Sequence, residues 1–227
     1  MPDLILFDID GTLVDLTEFH ISSYQDAYEG LTKKYITRDR IHEKLGLPEM
    51  EIHKQLFEEE NLKFSESGGG RIINKYSELF FSKLKEKRTE LLSGVLEFLV
   101  ELKRRKNYLG IVTGNIEEMG REILKNLGIE AYFSVFGFDR NQQDGRAGIV
   151  RDAIDEAIKN DYSYKKVIVI GDTPKDIKSG KANKAYTVGV ATGRYSLEDL
   201  QNAEPDLAIQ NLEKNNFDKI IAIMEEC

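Results

Sequence analysis

Cysteine is nearly missing from this chain of 227 residues: the single one is Cys227. No disulfide can close within the chain, and nothing suggests a secreted disulfide scaffold. Long apolar runs are missing as well. No stretch approaches the roughly 20 apolar residues that span a membrane. The first stretch, Leu4-Ile5-Leu6-Phe7, reaches the charge of Asp8 after four apolar residues, too few for the apolar core of a secretion signal. A cytoplasmic location is therefore the expectation. Positive charge is in deficit: 32 Lys and Arg stand against 40 Asp and Glu, a net charge of −8. That balance argues against nucleic acid or a membrane surface as a general partner. There is no internal repeat and no low-complexity tract.

What is there suffices for a folded domain of ordinary size and a smaller one. Hydrophobic residues make up 41% and charged residues 32%, a core and a solvated surface. Short apolar runs ending in polar residues recur: Leu4–Phe7 before Asp8, Tyr108–Val112 before Thr113-Gly114-Asn115, Val167–Ile170 before Gly171-Asp172, then Thr187–Val190 and Asp206–Ile209. Tyr132–Phe136 is a further short candidate. Such runs read as buried parallel strands. Helical periodicity fills the intervals: Val95, Leu96, Leu99 and Leu102; Met119, Ile123, Leu124 and Leu127, stopped by Gly128; Ile149, Ala153, Ile154, Ala157 and Ile158; and Phe217, Ile220, Ile221 and Met224. Strand and helix alternate, which predicts a parallel sheet covered by helices on both faces.

Residues 16–90 break that rhythm. Phe19, Ser23, Ala27 and Leu31 share one helical face, Ile52, Leu56 and Phe57 another, and Ile72, Ile73, Tyr76, Leu79, Phe80 and Leu84 a third. This reads as an all-helical insertion after the first strand. Gly68-Gly69-Gly70 reads as a loop between two of its helices, because no strand precedes it and no lysine–serine pair follows it. Phe7, Phe19 and Tyr76 read as core aromatics.

Chemistry concentrates where the strands end, the edge at which open α/β sheets place their sites. In Asp8-Ile9-Asp10-Gly11-Thr12-Leu13-Val14-Asp15, Asp8 and Asp10 are two residues apart on an extended segment, so their side chains share a face. A cation would relieve their repulsion. Thr113, Gly114 and Asn115 offer a hydroxyl and backbone N–H groups near a helix start, suited to an anionic oxygen and equally to a helix cap. Asp172 and Asp176 add carboxylates, and an oxygen-rich set of this kind suits Mg²⁺. Among Arg140, Arg146 and Arg151, Arg146 stands at a loop–helix junction ahead of Ala147–Ile158, while the other two read as surface charges.

Taken together, these strings resemble the signatures of the haloacid dehalogenase superfamily. The Asp8–Asp15 string looks like the first signature, Thr113 stands where the second has its Ser or Thr, and Asp172 and Asp176 match the fourth. The order and spacing agree over residues 1–15 and 91–210, and the helical 16–90 segment is similar to the cap of the phosphoglycolate phosphatase and β-phosphoglucomutase subfamily. The resemblance implies a Rossmann-like three-layer α/β sandwich from residues 1–15 and 91–227, with 16–90 as an inserted all-α cap domain. One departure stands out. Many relatives carry lysine followed by proline at the third signature; Arg146, in Asp144-Gly145-Arg146-Ala147-Gly148, is the substitute here, with a planar fork in place of a point charge.

The activity implied is Mg²⁺-dependent hydrolysis of a small phosphorylated metabolite, phosphoglycolate being the nearest named one. By resemblance, Asp8 is the nucleophile and Asp10 the general acid and base. Asp8, the Asp10 carbonyl and Asp172 hold Mg²⁺, with Asp176 in support. Thr113, Gly114, Asn115 and Arg146 hold the phosphate oxygens, which answers the long-range repulsion set by the net charge. Asp10 favours phosphoryl transfer over dehalogenation, because a departing halide needs no proton. The cap is expected to close over the site, with His20, Tyr24 and the Gly46-Leu47-Pro48-Glu49 loop lying where the cap of similar enzymes faces the substrate; His20 itself reads more readily as a plain polar residue of the first cap helix. A phosphomutase is the alternative. A catalytically silent binding protein is disfavoured by the presence of both Asp8 and Asp10. The expected partner is a small phosphate ester, with no nucleic acid or membrane, and the expected state is a monomer or weak homodimer.

Overall fold

The computed structural model describes residues 1–47, 49–62, 66–87, 89–140 and 145–225; Pro48, Asp144 and Cys227 lie outside them. Strand β1 (Leu4–Phe7) is followed by helices α1 (Thr17–Thr32), α2 (Arg38–His42), α3 (Glu49–Glu59), α4 (Glu66–Glu86) and α5 (Val95–Arg104). The chain then alternates through β2 (Tyr108–Val112), α6 (Glu117–Asn126), β3 (Val135–Gly137), α7 (Gly145–Lys159), β4 (Val167–Gly171), α8 (Pro174–Ala182), β5 (Tyr186–Val190), α9 (Leu197–Asn202), β6 (Leu207–Ile209) and α10 (Lys214–Glu225).

The six strands form one sheet in the order β3-β2-β1-β4-β5-β6, parallel throughout. Side-chain alternation splits β1 between two cores. Ile5 and Phe7 pack with Phe98 and Leu102 of α5, Met119 of α6 and Phe217 of α10. Leu4 and Leu6 pack with Ile149 and Ala153 of α7. Each such side chain contributes about 1.5–3 kcal/mol when fully buried. Helices thus cover both faces, giving the expected three-layer α/β sandwich of Rossmann-like type.

Helices α1 to α4 are inserted between β1 and α5. The chain leaves and re-enters the sheet layer at one root, where Val14 bridges Leu91 in antiparallel fashion and the Leu92 N–H donates to the Leu13 carbonyl at 2.9 Å.

Three local expectations are corrected. The Gly68-Gly69-Gly70 stretch is helical, inside α4. Ile72, Tyr76, Phe80 and Leu84 bury one face of α4 in the core that also contains Tyr24 and Tyr28 of α1, and helix propagation from that anchored face outweighs the glycine penalty of about 1 kcal/mol each. A Cβ built on Gly70 meets nothing within 4 Å. Gly70→Ala should therefore stabilise the protein by about 0.5–1 kcal/mol in a urea titration; a loss of stability would show that α4 does not begin this early. The second correction concerns α1, whose buried face is His20, Ile21, Ser23, Tyr24, Ala27 and Tyr28, while Leu31 is 48% exposed. Hydropathy underrates His and Tyr, which carry an apolar body and a polar tip. Third, the Tyr132–Phe136 strand is displaced. Tyr132 closes a short 3₁₀ turn, and the strand begins at Val135, which pairs with Gly110.

Candidate active site

The carboxyl ends of β1, β2 and β4 lie side by side, because β1 pairs with both neighbours in matching register. Asp8, Thr113 and Asp172 therefore emerge together at the point where strand order reverses, the usual crevice of an open parallel sheet. The Asp8 N–H still donates to the Ile170 carbonyl at 2.9 Å, which fixes Asp8 to the sheet. Ile9 turns into the core, and the chain folds back at Gly11, whose φ of +77° is a conformation that glycine adopts without penalty. Gly11 is needed for a second reason: a Cβ there would collide with the Asp172 carboxylate.

Asp8 and Asp10 line one cavity of about 80 Å³ together with Thr113, Asn115, Arg146 and Asp172. Arg146, near the start of α7, is its buried cation. Its Nη2 lies 2.6 Å from Asp8 Oδ1 and 2.6 Å from Asp176 Oδ1, and its Nε donates to Asp176 Oδ1 at 2.8 Å. Nη2 thus ion-pairs with both carboxylates. Arg140 pairs with Glu117 at the surface, and Arg151 is exposed. Lys175, half-buried, adds positive charge nearby; burial and the charges of Arg146 and Arg194 push its ammonium down to about 8.

Asp176 is spent on organisation. Its Oδ2 accepts from the Thr173 N–H at 3.0 Å and from the Thr173 hydroxyl at 2.7 Å, closing a capping box on α8, while Oδ1 steers Arg146. Asn115 is occupied as well. Its Nδ2 donates to Asp10 Oδ2 at 2.6 Å and to Thr113 Oγ1 at 3.1 Å, so its side chain orients Asp10. Thr113 Oγ1 also accepts from the Asn115 N–H at 3.3 Å, which leaves its own O–H as a donor. The Gly114 carbonyl accepts from the Glu49 N–H at 3.1 Å, tying the start of α3 to the end of β2.

The other oxygen of Asp10 meets His20 Nε2 at 2.9 Å, and His20 Nδ1 meets the Tyr76 hydroxyl at 2.6 Å. His20 thus contacts the site, and Tyr76 is both a buried aromatic and part of the cavity wall. Its spacing with Ile72 and Phe80 marked it as core; no sequence signal marked the hydroxyl, because a 56-residue separation from His20 is closed only by the packing of α1 on α4.

Electrostatics separate the two aspartates. Burial, against the opposing charge of Arg146, and repulsion by Asp176 and Asp10 push the Asp8 carboxyl up to about 7. Burial, with repulsion by Asp8 and Asp176, also drives Asp172 well above the carboxylate range. For Asp10, burial works against ionisation, but the charge and hydrogen bond of His20 and the Asn115 amide overcome it, holding Asp10 below its usual value. The carboxylates of Asp8, Asp172 and Asp176 approach within 4.8 Å of one another. The Thr12 hydroxyl donates to Asp172 Oδ1 at 3.5 Å. Crowded, buried carboxylate oxygens fit a hard divalent cation. Among the described residues no helix is long and apolar enough to cross a membrane.

Residues 5–190 match the family model of haloacid dehalogenase-like hydrolases. The chain is 29% identical over 215 residues to the pyrophosphatase PpaX of Bacillus velezensis, covering 92% of each protein. Two solved structures share its fold. One, a predicted phosphoglycolate phosphatase from Haemophilus somnus, superposes with a TM-score of 0.80 at 18% identity, over 99% of this chain and 98% of that one. The other, a β-phosphoglucomutase from Clostridium difficile, gives a TM-score of 0.79 at 20% identity, over 98% and 96%.

Proposed function

The chain belongs to the haloacid dehalogenase-like hydrolase family, and from that premise we propose that it is a Mg²⁺-dependent phosphatase acting on a small phosphorylated metabolite. The observation that carries this reading is the convergence of Asp8, Asp10, Arg146 and Asp172 on one cavity. Residues 1–15 and 91–227 form the catalytic core in this reading, and residues 16–90 act as a cap held down partly through the Glu49 N–H on the Gly114 carbonyl.

Asp8 attacks phosphorus in line, the P–O bond to the alcohol breaks, and an aspartyl-phosphate forms on Asp8. Asp10 delivers a proton to the departing oxygen, with His20 orienting its carboxyl, and then takes one from the water that cleaves the acyl-phosphate. Arg146, the Thr113 hydroxyl and the backbone around Gly114 hold the phosphoryl oxygens, while Asn115 keeps the second oxygen of Asp10 in place. Asp8 and Asp172, with the Asp10 carbonyl, would hold Mg²⁺, which supplies charge to offset that developing on the phosphoryl group. A panel of phosphorylated metabolites should release inorganic phosphate with Mg²⁺ and none with chelator; an unchanged rate in chelator would overturn the metal requirement.

His20 supports this reading through Asp10. His20→Phe removes the charge and hydrogen bond that hold the Asp10 carboxyl low, leaving burial to raise it. By ¹³C carboxyl NMR the Asp10 pKa should rise, and kcat should fall by about 10²-fold. An unmoved Asp10 titration would show that the pair contributes nothing to proton handling.

A further inference from the structure

Glu49 is a buried acid that the reaction outlined above does not use. It opens α3, is 3% exposed, and lines the same cavity as Asp8 and Asp10. Neither carboxylate oxygen has a side-chain hydrogen-bond partner among the described residues, and the Ile116 backbone alone favours its ionised form. Burying an unpaired carboxylate costs several kcal/mol. With Asp139 adding like charge, that cost pushes the Glu49 carboxyl up to about 8. A nearby group that could neutralise it, His53, has its Nε2 at 4.0 Å. Burial pushes that imidazole down to about 3, so it stays neutral, and its Nε2 is unpartnered too. Beside Glu49, the cavity wall is made by Tyr24 and Tyr76, their rings stacked at 4.1 Å.

We propose that Glu49, flanked by Tyr24 and Tyr76, is the subsite for an ammonium group on the leaving alcohol, so that the substrates are phosphate monoesters of small amino alcohols. The proposal rests on the phosphatase reading and narrows it. A cation is what a buried carboxylate with no charged partner lacks, and aromatic walls favour an ammonium over a hydrated anion. The alternatives suggested by similar proteins fit this subsite poorly. A second phosphoryl group, as in pyrophosphate, or a carboxylate, as in phosphoglycolate, would bring negative charge against Glu49 and Asp139. A neutral alcohol would offer no charge to hold Glu49 in its ionised form, so the carboxyl would keep its proton. The Glu49 N–H is anchored on the Gly114 carbonyl, next to Thr113, so the subsite lies beside the expected seat of the phosphoryl group, consistent with a short spacer between phosphate and amine.

The test compares two nearly isosteric esters, 2-aminoethyl phosphate and ethyl phosphate, on the Mg²⁺-loaded wild type and on Glu49→Gln. In the wild type kcat/KM should favour the amino ester by at least about tenfold, and pyrophosphate and phosphoglycolate should rank below it. In Glu49→Gln the ratio between the two esters should collapse toward one. Should Glu49→Gln fail to fold, calorimetric binding of the non-hydrolysable pair, 2-aminoethylphosphonate and ethylphosphonate, to the wild type decides alone; the amino compound should bind more tightly. A ratio near one in the wild type, a ratio unmoved by the substitution, or preference for pyrophosphate or phosphoglycolate would overturn the proposal while leaving the phosphatase reading intact. Turnover of no phosphate ester by the wild type would overturn both.

Discussion

Asp8→Asn should retain less than about 10⁻⁴ of the wild-type kcat toward an aryl phosphate with Mg²⁺ present, the scale of loss seen when a nucleophile is removed. It should also melt at a higher temperature than the wild type when both are compared without metal above pH 7. The two effects share a cause. Asp8 sits at the end of β1 with 3% exposure, among Asp10, Asp172 and Asp176. Burial and the charges of Asp176 and Asp10 raise its carboxyl from 3.8 to about 7 in spite of Arg146. A carboxyl raised in the folded state binds its proton more tightly there than in the unfolded chain. Its contribution to stability is complete below about pH 4 and is lost as pH rises through the folded value near 7. Above that pH the wild type carries a penalty on the order of 2–4 kcal/mol that asparagine avoids. Thermal melts at pH 5 and pH 8 separate the terms, since the advantage of the variant should shrink at the lower pH. Turnover within a hundredfold of wild type would sink Asp8 as the nucleophile.

Arg146→Met should destabilise the protein by about 3–5 kcal/mol at pH 7.5, the cost of leaving buried charge unpaired. At 9% exposure this guanidinium is the cation within ion-pair distance of both Asp8 and Asp176. The carboxylates at both positions raise its own affinity for a proton, so it is charged at any working pH. Without it the folded-state pKa values of Asp8 and Asp172 climb further. The penalty should then grow as pH rises and lessen near pH 5, where the carboxyls take up protons. Urea titrations at the two pH values measure that difference, and equal stability of variant and wild type at pH 7.5 would refute the role. Loss of the phosphate clamp should lower kcat/KM by about 10²–10³-fold. Arg146→Lys should recover much of the stability, since a point charge suffices for that, and less of the activity, because lysine cannot reach two carboxylates and a phosphoryl oxygen as one planar fork.

Several features of the chain are local enough to be legible without coordinates. The strands that end at Asp8, Thr113 and Asp172 are continuous apolar runs, because both faces of a parallel strand are buried; only β3, three residues long, was misplaced. The spacing of Asp8 and Asp10 and the Gly171-Asp172 turn are equally local. Arg146 reads from the sequence as the candidate cation by its place between Thr113 and Asp172 at a loop–helix junction. The helical character of 16–90 was visible, whereas its details were not. Gly68-Gly69-Gly70 carries loop propensity, and only the packing of α4 against α1 makes that stretch a helix.

From sequence, then, follow the alternating α/β sandwich, the family, and the set of carboxylates at the strand ends, since hydrophobic period and motif spacing are properties of neighbouring residues. The tertiary structure decided the pairings. It assigned Asp176 to cap α8 and steer Arg146, and Asn115 to orient Asp10. It joined Asp10 to Tyr76 through His20 and left Glu49 buried in the cavity without a charged partner. The longer of those contacts link residues 30, 56 and 105 positions apart, and the energies that set them, burial against Coulomb attraction, depend on how deeply each group is placed in the folded molecule.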